Sequence, residues 1–216
     1  EFVLDNIRSC ESFVMAVAFV TRSGVACLHQ TLKEFGQRGG SGKILVSTYL
    51  NFSDPTAIKA LTKFTGIEVS FVNEPNFHGK TYLFEHANYA QIMIGSSNLT
   101  QNALGKNTEV NLGLCLQRDS SLYQQTMSQL NQWVGKATEV SEENLDAYEQ
   151  AWKEAKERIR SAPPTVVPEE IFAETAQALQ TSASVDVLTP NQMQYPALHR
   201  LKNVRRTGNT RSLIIS

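Results

Sequence analysis

Apolar positions along the chain fall into short unbroken runs separated by segments of helical period. Phe13 to Val20 (FVMAVAFV) carries no polar side chain over a strand's length, the pattern of a strand covered on both faces. Ser23-Gly24 then opens a segment with Val25, Leu28, Leu32 and Phe35 at helical spacing, which Gly39-Gly40 stops. Lys43 to Ser47 reads as a second buried strand. Asp54-Pro55 places an N-cap before a proline at the first helical position, predicting a helix to about Phe64. Gly66 ends it, and Ile67 to Val72 is a third strand. Strands alternating with helices at this spacing predict βαβ units in a largely parallel sheet.

Further along, Phe77–Phe84 and Ala90–Ile94 read as strands joined by the turn-like Glu85-His86-Ala87-Asn88. A short helical turn follows over Leu99–Leu104, then an alternating strand over Glu109–Leu116. Helices are predicted over Ser120–Val134 and Glu142–Ile159; Leu130 and Trp133 pack the first on the sheet, while the second is highly charged and more loosely held. The fold class is therefore α/β, a mixed, largely parallel sheet flanked by helices. From Ala162 the composition changes: PPTVVPEE holds three prolines and Thr181–Ser184 is small and polar, so this stretch reads as a linker, with one short helix over Glu170–Leu179. Pro190 to Gln194 introduces a helix with Leu198, Leu201 and Val204 on one face, and Ser212–Ser216 resembles the first strand of another α/β domain.

Composition narrows the class. With 41% apolar and 19% charged residues in 216, the chain is that of a globular protein. Glu1-Phe2-Val3 reads as though cut from a longer protein, without a leader, and no apolar run approaches a bilayer span. Cys10, Cys27 and Cys115 are odd in number, lie in apolar surroundings and lack metal-ligand spacing; they read as reduced core thiols of a cytoplasmic protein. A formal net charge of −1 supplies no long-range attraction for nucleic acid, so a phosphodiester substrate has to be argued from a local site.

That site is carried by FHGKTYLFEHANYAQIMIGSSNLTQNALGKNTE, Phe77 to Glu109. His78 and Lys80 are two apart on an apolar alternation, which in a strand puts both side chains on one face. Gly95-Ser96-Ser97-Asn98 ends a buried strand with small hydrogen-bonding residues, offering hydroxyls, an amide and backbone N–H groups to an oxyanion. Imidazole, ammonium, hydroxyl and carboxamide without an acidic cluster suggest phosphoryl transfer that uses no metal. The blander reading of Ser96, Ser97, Asn98 and Thr100 is capping of the next turn. His29, His86 and His199 read as exposed bystanders, and Trp133 and Trp152 as packing residues rather than base-stacking platforms.

HxK followed by GSxN resembles the phospholipase D superfamily signature, H-x-K-x4-D…G-S-x-N, over roughly Phe13 to Gln132. The resemblance implies the phospholipase D-like fold, with His78 attacking phosphorus to form a phosphohistidine while Lys80, Ser96 and Asn98 hold the phosphoryl oxygens beside Gly95 and Ser97. Glu85 stands where the signature has Asp and is a further candidate. Glu109 lies eleven residues beyond Asn98 and matches the acidic residue with which smaller nuclease members orient the histidine. The chain holds one motif copy, so a two-histidine mechanism implies a homodimer with the site on its two-fold axis.

A narrower resemblance joins YLNFSDP, FHGKTYLFE, IMIGSSNLTQNAL and NTEVNL to the phospholipase D-like nuclease domain found N-terminal to superfamily II DEAD/DEAH-box helicases. PNQMQYPALHRLKNVRRTGNTRSLIIS is similar to the segment upstream of a helicase Walker A loop, with Gln194 matching the adenine-recognising glutamine. This implies a nuclease domain over 1–160, a linker over 161–188 and the truncated edge of a RecA-like ATPase domain over 189–216. No GxxxxGK[ST] follows, so the chain as it stands should not hydrolyse ATP. ATP and Mg belong to the helicase part alone; the nuclease domain is expected to need no cofactor or metal. The implied function is a metal-independent phosphodiesterase acting on DNA, without membrane attachment. The alternative is a catalytically silent nucleic-acid-binding or dimerisation module of the helicase.

Overall fold

A computed structural model of the chain describes residues 1–161, with side chains through Arg158. The linker expected over 161–188, apart from Ser161, the segment 189–216 and Gln194 within it lie outside the described residues. The element order is α1 (Phe2–Ser9), β1 (Ser12–Val17), α2 (Arg22–Gln37), β2 (Ser41–Ser47), a 3-10 turn (Tyr49–Asn51), α3 (Pro55–Leu61), β3 (Ile67–Val72), β4 (Lys80–Glu85), β5 (Tyr89–Gly95), α4 (Gln101–Gly105), β6 (Asn111–Gln117), α5 (Ser121–Gly135), β7 (Ala137–Glu139) and α6 (Glu142–Ser161).

The strands form one seven-stranded sheet in the order β6-β5-β4-β1-β2-β3-β7. β1–β2 and β2–β3 pair in parallel, as the βαβ spacing predicts. The other four pairings, β1–β4, β4–β5, β5–β6 and β3–β7, are antiparallel, so the sheet is mixed rather than largely parallel. The cause is connection length. A parallel crossover needs a dozen or more residues, whereas only residues 73–79 separate β3 from β4 and only His86–Asn88 separate β4 from β5.

Both faces of the sheet are covered, which explains the unbroken apolar runs. Phe13, Met15 and Val17 of β1 face a core shared with Leu28, Leu32 and Phe35 of α2 and Ile58 and Leu61 of α3. Val14 and Ala16 alternate to the other face, where Tyr123, Leu130 and Trp133 of α5 cover Leu45, Leu83 and Ile92. The charged helix α6 is better anchored than its sequence implies: Leu145 and Tyr148 are buried, and the Tyr148 hydroxyl donates to the Ser53 carbonyl at 3.0 Å. Burial pushes that phenol well above its ordinary range, keeping it a protonated donor.

Local signals hold where they rest on capping chemistry. Asp54 accepts from the Thr56 N–H at 2.9 Å with Pro55 at the first helical position, and Gly66 turns into β3 with φ +76°. Helix α2 is capped by Thr21, one turn position earlier than Ser23-Gly24 suggests. α1 and the three-residue β7 carry no comparable signal in the sequence. Two expectations about side chains are corrected. Cys27 and Cys115 are exposed, and of the three cysteines only Cys10 lies in the core, where burial raises its thiol to about 11. His86 is no bystander: it is buried, 3.0 Å from the Asn6 carboxamide and stacked on Tyr89. Among the described residues no helix is long and apolar enough to cross a membrane.

Gly24 marks the tightest approach between elements. A Cβ there would overlap the Leu99 carbonyl and the Thr100 backbone, which follow the GSSN segment. Gly24→Ala is therefore expected to destabilise the chain by about 1–3 kcal/mol. Gly105→Ala, whose Cβ would meet open space, should be neutral or stabilising. Equal denaturation midpoints for the two variants would refute this packing account.

Candidate active site

The candidate residues come from strand ends on one rim of the sheet. β1 and β5 run in the same sense with β4 antiparallel between them, so the exits of β1, β2 and β5 and the entrances of β4 and β6 share that rim. His78 and Lys80 lie at the entrance of β4, Ser96–Asn98 at the exit of β5, and Glu109 before β6.

The GSSN segment is tied directly to the β1 exit. The Phe19 N–H donates to Asn98 Oδ1 at 3.1 Å, the Leu99 N–H to the Phe19 carbonyl at 3.0 Å, and the Thr21 N–H to the Leu99 carbonyl at 3.1 Å. Val20 and Leu99 form an isolated parallel bridge. From below, the buried Tyr82 hydroxyl donates to the Ser97 carbonyl at 3.0 Å, and burial raises that phenol far above its ordinary range. From the side, Asn111 donates to Ser97 Oγ at 2.8 Å and accepts from the Ser97 N–H. Gly95 has no room for a Cβ against the Val110 carbonyl and Asn111. Ser97 is thus buried and bonded inward, a scaffold residue rather than a phosphate ligand, while Ser96 is exposed.

His78 precedes β4 instead of lying within it, because the strand begins at Lys80. Its neighbour Phe77 is the anchor: buried, set edge-on to Trp133 at 5.1 Å, with its carbonyl accepting from Ser47 Oγ at 2.9 Å. The His78 residue is exposed, but its ring lies edge-on to Phe19 at 5.3 Å. Partial loss of water, and secondarily the Lys80 charge, lower the imidazole pKa, so it is neutral at pH 7. Lys80 Nζ donates to the His78 carbonyl at 2.8 Å and stands 6.0 Å from the Phe19 ring centre. Desolvation brings its ammonium down to about 8, against the opposing pull of Glu109.

Glu109 accepts from Ser96 Oγ and from Asn107 at 3.4 Å, and Ser96 Oγ also accepts from the Val110 N–H at 3.0 Å. The carboxylate therefore holds the serine and acts on Lys80 through space; a bond from Glu109 to the His78 ring, expected from the sequence, is not among those of the described residues. Glu85 is elsewhere. It lies at the opposite end of β4, on the face toward α5, accepting from Ser12 at 2.9 Å and from the Tyr123 hydroxyl. Five residues of strand place it roughly 17 Å from Lys80. Its carboxylate is engaged there, apart from His78 and Lys80.

Three contributors escape the sequence reading. Phe19 sits at the end of a run that reads as core. Ser47 and Asn111 each act through two side-chain hydrogen bonds that leave no pattern in the sequence. The turn after β2 carries two non-glycine residues at positive φ, Leu50 at 59° and Asn51 at 54°. For leucine this costs on the order of 1 kcal/mol. It brings Phe52 to 5.3 Å from Phe19. Among the described residues no three His, Cys, Asp or Glu side chains gather as a metal-ligand set.

Comparison with known proteins follows from this geometry. A search of curated proteins finds no match. Among solved structures, NucT from Helicobacter pylori superposes with a TM-score of 0.52 at 18% identity, covering 64% of this chain and 89% of that one. Nuc from Salmonella typhimurium, a phospholipase D family member, gives 0.50 at 21%, covering 64% and 88%. Phosphatidylserine synthase from Haemophilus influenzae gives 0.51 at 15%, covering 74% and 42%. At these identities the likeness is one of fold. The family described as cardiolipin synthase, PLD-like domain matches residues 3–133, spanning α1, the whole seven-stranded sheet except β7, and most of α5. The chain belongs to that phospholipase D-like family.

Proposed function

We propose that the chain is a metal-independent phosphodiesterase acting on DNA through a phosphohistidine, working as a homodimer, and joined in its parent to a superfamily II helicase. The observation that carries the chemistry is the convergence of a neutral His78, a partly desolvated Lys80 and the Ser96–Asn98 segment around the Phe19 backbone and ring. A neutral imidazole is the nucleophilic form. An ammonium with little water around it stabilises phosphoryl oxygens more strongly than one in bulk solvent.

The reaction proceeds in two displacements. In the reactive form the two His78 rings share one proton. The neutral ring's nitrogen attacks phosphorus and the bond to the leaving oxygen breaks, that oxygen taking the proton from the partner subunit's His78, which enters the step as imidazolium. Water then attacks the phosphohistidine, giving its proton to the partner subunit's His78 as the P–N bond breaks. Lys80 and Asn98 hold the non-bridging oxygens, Ser96 joins them by turning its hydroxyl from Glu109 to the substrate, and Glu109 balances Lys80. Glu109 of one chain orienting a histidine belongs to the same proposal.

A second copy is favoured by one patch beside the site. Ile94 and Leu112 are register partners beyond the cover of α5, and with Val110 they are 47%, 59% and 79% exposed. Apolar surface clustered at a reaction centre marks an interface. NucT and Nuc share the fold, which supports the nuclease reading. The helicase attachment rests on the sequence resemblance of YLNFSDP, FHGKTYLFE, IMIGSSNLTQNAL and NTEVNL together with residues 189–216. The rival reading is a catalytically silent binding or dimerisation module.

DNA cleavage should persist in EDTA, vanish in His78→Ala, and fall at least about 100-fold in Lys80→Ala. Loss of cleavage on chelation would refute the mechanism. Because the Lys80 cation is lost as pH rises through about 8, kcat/KM should decline there, and Lys80→Arg should abolish the decline. A decline unchanged by that substitution would assign the titration to another group. Val110→Glu with Leu112→Glu should give a monomer by light scattering and no cleavage; a monomer that still cleaves would end the shared-site reading.

A further inference from the structure

Phe19 and Phe52 have no part in the displacement chemistry, yet they lie beside it. Phe19 presents its ring to His78 at 5.3 Å, and Phe52 continues edge-on from Phe19 at 5.3 Å with the planes at 72°. Both are only half-buried, unlike Phe13, Phe35 and Phe84, which are fully buried in the core. The second ring is held out by local means. Leu50 and Asn51 take positive φ just before it, Ser47 Oγ accepts from the Tyr49 N–H at 3.0 Å, and Ser53 behind it is buried. Ser53 Oγ accepts from the Val20 N–H at 3.2 Å, and its carbonyl is held by Tyr148 of α6. A strained, braced turn that keeps an aromatic ring half in solvent beside a nucleophile is organised for contact with something external.

Charge narrows what that contact is. With a formal net charge of −1, the chain has little long-range pull on a polyanion. Affinity for DNA must then come from short-range contacts that survive salt, and stacking of a base on an aromatic ring is the strongest of these. A base can reach such a step, next to the phosphate under attack, only when it is unpaired, because in a duplex both of its faces are occupied.

Resting on the phosphodiesterase reading, we infer that Phe19 and Phe52 form a stacking step for the base flanking the scissile phosphate, which makes single-stranded DNA the preferred substrate. Phe52 is a specificity-determining residue in this assignment. Phe19 both stacks and positions His78.

The test compares cleavage by the 216-residue chain of a single-stranded oligonucleotide, the same oligonucleotide with abasic sites flanking one phosphate, and the duplex. The wild type should favour the first over the other two by about 5- to 100-fold at the chosen phosphate. Phe52→Ala should bring the ratio of intact to abasic substrate close to one, mainly through KM, and Phe52→Trp should restore it. If Phe52→Ala lowers both substrates equally and leaves the ratio unchanged, the ring is only a packing prop and the inference fails. Wild-type indifference to the abasic sites or to pairing would overturn it without any variant. Fluorescence anisotropy of the same oligonucleotides on the His78→Ala variant separates the two readings. Base-dependent binding without cleavage by the wild type keeps the stacking step and refutes the phosphodiesterase; cleavage without base dependence does the reverse.

Discussion

The site depends on one short splice of backbone, in which Leu99 exchanges hydrogen bonds with Phe19 and Thr21 while Asn98 takes the Phe19 N–H into its carboxamide. β1 and β5 are separated in the sheet by β4, so no ladder bond could join their exits. The splice crosses that gap above the entrance of β4. Its effect is to fix Asn98 relative to Phe19, whose ring lies against His78 and near Lys80. The splice is possible because Gly24 leaves room for the Leu99 carbonyl at the start of α2, and because Tyr82 holds the Ser97 carbonyl from beneath. A packing detail in the core is thereby connected to the placement of a polar group on the surface.

Electrostatics inside that frame follow from water rather than from ion pairing. Lys80 donates to a carbonyl, not a carboxylate, and its nearest acidic influence, Glu109, is already engaged by Ser96. A lysine bonded directly to Glu109 would be neutralised and pinned. Left with a carbonyl and an aromatic face, it keeps its charge available for an incoming anion while being less hydrated than a surface lysine. The same scarcity of water keeps His78 neutral. The two depressed basic groups share desolvation as the main cause, and the Lys80 charge adds to the lowering of His78.

Much of this was legible in the sequence, and what was not has physical reasons. Apolar runs and caps gave β1, β2, β3, α2 and α3 because two-faced burial and N-capping leave marks on consecutive residues. The antiparallel pairing of β4 with β5 is legible in their three-residue connection, whereas the fifteen residues with α4 between β5 and β6 fit either sense. His78, Lys80, Ser96 and Asn98 are brought to one rim because they sit at strand ends, which spacing reveals. Glu85 and Ser97 were misplaced for complementary reasons. A motif position fixes neither which sheet face a side chain takes nor whether its hydroxyl turns inward. His86 is buried by Asn6 and Tyr89, partners 80 residues and three residues away, and only the nearer of them lies in its sequence window. Phe19 was invisible because an aromatic residue ending a buried run has the same signature whether its ring is covered or half open.

The two edges of the sheet are treated differently, and the difference bears on the site. The β7 edge is three residues long, is preceded by Lys136 and ends in Glu139, the short, charged kind of edge that resists association. The β6 edge runs seven residues, NLGLCLQ, without a charge or a proline, and its first residues are the ones nearest Ser96 and Glu109. Among the described residues Ile94, Val110 and Leu112 lie exposed there. An unguarded edge is a liability unless something covers it, and this one begins on the rim that carries His78, Ser96 and Glu109. Under the proposed two-histidine mechanism, a second copy approaching along β6 would supply both the second imidazole and the cover for this edge. On that proposal one surface would have to be apolar for assembly and polar for catalysis within a few residues, and the sequence changes from apolar to charged between Leu112 and Glu109.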